Sequence, residues 1–187
     1  MTLASQAPGD KMRWENLLSS HRLEFRDGKI RLPEGAPYPT PDGRSPFQID
    51  VDRVIFSSSF RRLQNKTQVH PLSENDHVHT RLTHSLEVSC IGRSLGLMVG
   101  NRLHEKGSLP TSIEPDHMAA IVQAAALSHD IGNPPFGHAG EYAIRQWFED
   151  AAPEYTSSLS PEQFADLTTY EGNAQGFRLL TNKRTGL

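Results

Sequence analysis

The stretch "TRLTHSLEVSCIGRSLGLMVGNRLHE", Thr80 to Glu105, decides the fold. Leu82, Leu86, Ile91, Leu95, Met98, Val99 and Leu103 recur along it at helical spacing and form one broad apolar stripe. That spacing predicts a long helix. Working outward, a second helix is expected from Pro115 to about Ile131, with proline suited to its first turn and Met118, Ile121, Val122 and Ala125 as its core face. Gly132, Pro134 and Pro135 end it. A third is expected over about His138 to Asp150, with Trp147 and Phe148 as core residues. Ser160-Pro-Glu-Gln163 reads as a capping-box start, and a last helix is expected over Glu171 to Thr181. Before the long helix, Ile49, Val51, Val54, Ile55 and Phe60 also fall near helical spacing. No stretch alternates as a strand does, so the fold class is all-α.

The chain has 187 residues, the size of one domain. With 36 % hydrophobic and 22 % charged residues it reads as globular rather than disordered. A net charge of -3 gives no global electrostatic case for nucleic acid or an anionic membrane. The single cysteine, Cys90, excludes an internal disulfide and fits a reducing, cytoplasmic setting; on the long helix it reads as buried. No membrane span or signal peptide is expected. Residues 1–47 read as a tail followed by a Pro/Gly-rich arm, with five prolines and two glycines between Pro33 and Pro46. Residues 48–187 read as the folded domain.

Eight of the nine histidines fall between His70 and His138. His84 lies near the start of the long helix, and the pair His129-Asp130 lies near the end of the next. Two packed helices can bring such side chains together in a bundle interior, where metal sites are built. Imidazole with carboxylate is a ligand set for a divalent ion. Adjacent side chains on a helix diverge by about 100°. His129 and Asp130 therefore reach one ion only near a helix end, and the Gly132-Asn-Pro-Pro break supplies that end. A lone helix-end histidine or a lone His-Asp pair is ordinarily unremarkable; the conjunction with His138 and Glu141 beyond the break shifts the odds.

Four segments carry a resemblance: "FSSSFRRLQNKTQVHP", "TRLTHSLEVSCIGRSLG", "LSHDIGNPPFGHAGE" and "EGNAQGFRLL". In this order they resemble the successive motifs of the HD-domain deoxynucleoside triphosphate triphosphohydrolases, of the bacterial dGTPase and dGTPase-like branch. The resemblance implies an HD-domain helical bundle that hydrolyses a dNTP, dGTP favoured, at the α-phosphorus to deoxynucleoside and triphosphate. It implies His84, His129 and Asp130 as metal ligands, His138 and Glu141 as the catalytic pair, and Gln68 and Arg81 near sugar and phosphates. Manganese or magnesium is the implied ion, with iron, cobalt or nickel as alternatives. Homo-oligomers and single-stranded nucleic acid are the implied partners.

Other readings stay open beside it. One is another HD-type nucleotide phosphohydrolase; another is an inactive oligomerisation or single-strand-binding module. Arg61, Arg62 and Lys66 face phosphates, a neighbouring subunit or solvent. His70, His77 and His79 read as a solvated loop, and His21, His104 and His117 as surface residues. The family's fourth ligand, a later aspartate, has no counterpart among Glu149, Asp150, Glu154, Glu162, Asp166 or Glu171. The chain is therefore expected to be the N-terminal portion of a longer protein, its bundle incomplete at the C-terminus. An incomplete bundle leaves apolar helix faces exposed.

Overall fold

A computed structural model describes residues 13–22, 24–26, 29–31, 43–68, 79–151 and 153–181. The expected N-terminal tail, the prolines at 33–41, His70, His77 and the last six residues lie outside the described residues. The elements in chain order are α1 (Trp14–Leu17), β1 (Glu24–Arg26), β2 (Lys29–Arg31), α2 (Pro46–Phe56), α3 (Ser58–Arg61), a 3₁₀ turn (Arg62–Asn65), α4 (Arg81–Glu105), α5 (Pro115–Ser128), α6 (Gly137–Asp150), α7 (Pro153–Thr156), α8 (Pro161–Thr168) and α9 (Gly172–Thr181).

The fold is all-α with one small exception. β1 and β2 pair antiparallel, Phe25 opposite Ile30, where no strand was expected. The helix starts follow local chemistry. Thr80 and Thr83 cap α4 reciprocally, and Ser160 and Gln163 do the same for α8. Pro115 opens α5, behind Glu114, whose N–H donates to His117 Nδ1 at 3.1 Å. His117 is half-buried and its ring packs 5.4 Å from Phe47. Burial draws the His117 imidazole below its ordinary range, against the opposing charges of Glu114 and Asp116.

The core is built between α2, the 3₁₀ turn and α5. Phe47, Val51, Val54, Phe60, Leu63, Ile113, Met118, Ala120, Leu127 and Ile131 are buried there. Along α5 the buried face is Met118, Ala119, Ala120 and Leu127; Ile121 and Val122 are half-buried and Ala125 is exposed. Helix α4 lies along α5 through small residues. Its buried positions are Arg81, Ser85, Ser89, Gly96 and Gly100, so the two backbones approach closely. Leu86, Ile91, Leu95, Met98 and Val99 are exposed, Met98 by 67 %.

Two expectations are corrected. Cys90 is exposed, because it lies off the Ser/Gly face that meets α5. Trp147 is 53 % exposed rather than core, with Phe148 against it edge-on at 4.8 Å. Helix α6 instead buries Glu141.

Candidate metal centre and acid–base pair

Helix α5 stops at Ser128, and His129 and Asp130 leave it in a turn. His129 Nδ1 lies 2.7 Å from the Ala126 carbonyl oxygen. A carbonyl only accepts, so Nδ1 carries the proton and Nε2 is the free lone pair. That Nε2 lies 3.6 Å from Asp130 Oδ2. From α4, the His84 ring meets the His129 ring edge-on at 5.2 Å. One ligand atom each from His84, His129 and Asp130 lie within 4.8 Å of one another. The helix end lets neighbouring side chains converge, as the sequence required.

The two oxygens of buried Asp130 are treated differently. Oδ1 accepts a hydrogen bond from Asn133 Nδ2 at 2.6 Å. Oδ2 faces Arg81 Nη1 at 2.9 Å as an ion pair, but accepts no aligned hydrogen bond. Among the described residues, the buried side-chain polar atoms without a hydrogen-bond partner are Gln68 Oε1, Arg81 Nε, Ser85 Oγ and Asp130 Oδ2. Buried polar atoms are ordinarily satisfied. Two imidazoles and a carboxylate oxygen whose other charged neighbour is Arg81 are the donor set of a divalent ion. The residues present therefore fit a metal.

Lysine and arginine surround this cluster. The chain at Lys66–Gln68 is zipped to the start of α4: the Arg81 N–H donates to the Lys66 carbonyl at 2.8 Å, and the Gln68 N–H to the His79 carbonyl at 3.0 Å. That pairing brings Lys66 Nζ to the Asn133 carbonyl at 2.6 Å. Burial, then the charges of Arg81 and Arg62, draw the Lys66 ammonium down, while Asp130 opposes them. Arg61, Arg62 and His79 are exposed.

The second group sits on α6. Phe136, in the left-handed region at φ 66°, reverses the chain into that helix. Such backbone is costly for a bulky side chain. His138 and Glu141 then share a face, and His138 Nδ1 lies 2.9 Å from Glu141 Oε2. Glu141 Oε1 accepts the Gly172 N–H at 2.8 Å. The His138 hydrogen bond holds the Glu141 carboxyl below the usual range; burial opposes this, and the Gly172 N–H and the charges of His138 and Arg145 add to it. Burial, with the Glu141 charge second, pushes the nearby Tyr170 hydroxyl up. Arg81 connects the two groups: it pairs with Asp130, and a Cβ on Gly137 would come within 2.8 Å of its Nη2.

The HD domain family matches residues 81–169, the span from Arg81 through the whole of α8. A deoxyguanosinetriphosphate triphosphohydrolase-like protein of Pseudomonas aeruginosa is 53 % identical over 173 residues, covering 91 % of this chain and 36 % of the relative. The chain belongs to the HD-domain family, in its dGTPase-like branch.

A second dGTPase-like member, from Synechocystis, is 49 % identical over 94 % of this chain and 38 % of its own length. A deoxyguanosinetriphosphate triphosphohydrolase of Cronobacter sakazakii is 38 % identical over 91 % of this chain and 38 % of its own. The chain thus spans little more than a third of the length of these HD-domain relatives. Within the HD-domain match lie all the residues of the cluster and of the α6 pair; Lys66 and Gln68 precede it. Two residues that matter to the geometry escaped the sequence reading. Asn133 stood inside a quoted motif as the polar residue between glycine and two prolines, and Gly172 opened the last helix.

Proposed function

We propose that this chain carries the metal-binding and proton-transfer residues of a dNTP triphosphohydrolase that cleaves dGTP, or other dNTPs, at the α-phosphorus to deoxynucleoside and triphosphate. The observation that carries this reading is the cluster of His84, His129 and Asp130 in a chain similar over nine-tenths of its length to proteins with that name. Manganese or magnesium, when bound, supplies charge neutralisation at a phosphate oxygen.

The protein's own groups supply the rest. Asp130, His129 and His84 would hold the ion from this chain. Glu141 Oε2 accepts from the proton-bearing Nδ1 of His138, which fixes the tautomer and leaves the lone pair at Nε2. The His138 side chain is 95 % exposed, so Nε2 is free to meet a substrate. His138 moves a proton at Nε2, from the attacking water or to the leaving 5′-oxygen. Arg81, paired with Asp130, and Gln68, paired through its backbone with His79, carry unsatisfied polar atoms suited to phosphate and sugar. Homo-oligomerisation is part of the same reading. So is a cytoplasmic setting. No helix among the described residues is long and apolar enough to cross a membrane.

The test is product analysis. The 187-residue chain is incubated with dGTP and Mn²⁺ beside Asp130→Ala, and products are resolved by anion exchange. Deoxyguanosine with intact triphosphate, absent in the variant, is the expected result. Orthophosphate or pyrophosphate as the Asp130-dependent product would overturn it in favour of another HD-type phosphohydrolase.

A further inference from the structure

We infer that Asn133 is a positioning residue that sets which oxygen of Asp130 is offered to the metal, and that it ties the metal cluster to the His138–Glu141 pair through Gly172. The inference rests on the metal reading above.

A carboxylate on a turn has rotational freedom and two equivalent oxygens. Asn133 removes that equivalence. Its Nδ2–H occupies Oδ1 at 2.6 Å, which leaves Oδ2 as the oxygen turned toward Arg81 and His129. Asn133 is itself fixed from two sides. Lys66 Nζ holds its carbonyl at 2.6 Å. Its Oδ1 lies against the Gly172 Cα so closely that a Cβ there would overlap it. The same Cβ would lie 2.7 Å from Glu141 Oε1, which is bonded to the Gly172 N–H. One backbone position on α9 is therefore shared by the amide that orients Asp130 and the carboxylate that orients His138. Pro134 and Pro135 follow directly, and proline's fixed φ stiffens the turn that presents the amide.

Groups that orient a metal ligand ordinarily set metal affinity within about 10–100-fold. The experiment titrates Mn²⁺ into the parent chain, Asn133→Ala, Asn133→Ser and Asp130→Ala, following free Mn²⁺ by electron paramagnetic resonance. Circular dichroism melts of the metal-free proteins identify folded variants. Serine is too short to span to Oδ1, so it serves as the second variant where alanine fails to fold.

The expected result is that the parent binds Mn²⁺, Asp130→Ala does not, and the folded Asn133 variants bind about 10–100-fold more weakly. A merely structural role would lower the melting temperature and leave the Mn²⁺ affinity of the folded protein unchanged. Parent-like Mn²⁺ affinity in a folded Asn133 variant, with Asp130→Ala silent, would overturn this inference and leave the metal reading standing. Absence of Mn²⁺ binding by the parent itself would overturn the metal reading, and the inference with it.

Discussion

His138 and Glu141 meet at 2.9 Å although the histidine side chain is 95 % exposed and the glutamate 4 %. The carboxylate is the anchor of the pair. It is fixed by the Gly172 N–H on a separate helix, and it holds the imidazole on the surface in one orientation.

That anchoring makes stability depend on pH. The Glu141 carboxyl titrates below its usual range in the folded protein, chiefly because His138 bonds it. A depressed folded value means that the contribution is present above the unfolded carboxylate range and is lost as pH falls through the folded value. Glu141→Gln should therefore be less stable than the parent at pH 7, with the gap closing as pH falls below about 4. Urea unfolding midpoints of the two proteins across that range measure it. A gap that does not change with pH would show that Glu141 contributes by packing alone.

His138→Ala should lower turnover of dGTP by ~10²–10⁴-fold, the ordinary worth of general acid–base catalysis, while Mn²⁺ binding stays at the parent level. Kinetics beside a metal titration separate the two effects. Loss of Mn²⁺ binding would make His138 a ligand instead.

Gly132→Ala should destabilise the fold. A Cβ at this buried glycine would overlap the Gly172 carbonyl and the Gly176 nitrogen, both backbone atoms that cannot swing aside. Overpacking of this kind costs about 1–3 kcal/mol, readable as a lower urea midpoint. An unchanged midpoint would mean that α9 shifts freely against the Gly132–Asn133 turn.

Much of this architecture is legible locally. Thr80 caps α4, Pro115 opens α5 and Ser160 caps α8, because each start is set by chemistry within three or four residues. The convergence of His84, His129 and Asp130 was also legible, since an amphipathic helix and a helix end broken by Gly-Pro-Pro leave few ways to arrange them. What the pattern could not give is which face of α4 meets α5. The apolar stripe suggested leucine and isoleucine, but Ser85, Ser89, Gly96 and Gly100 allow a closer backbone approach and are the ones buried. Asn133 and Gly172 were silent for a related reason. Their roles arise from contacts between the turn after α5 and the start of α9, 39 residues apart in the chain, and no local periodicity records such a meeting.

The proposed reaction is hydrolysis of dGTP at the α-phosphorus beside the His84–His129–Asp130 cluster. Turnover of dGTP in ¹⁸O-labelled water, with mass analysis of both products, tests it most directly. Water attacking phosphorus breaks the bond to the 5′-oxygen and leaves its oxygen on the phosphate chain. The expected result is one ¹⁸O in triphosphate and none in deoxyguanosine, dependent on Asp130. Label in deoxyguanosine would place the attack on carbon and contradict it.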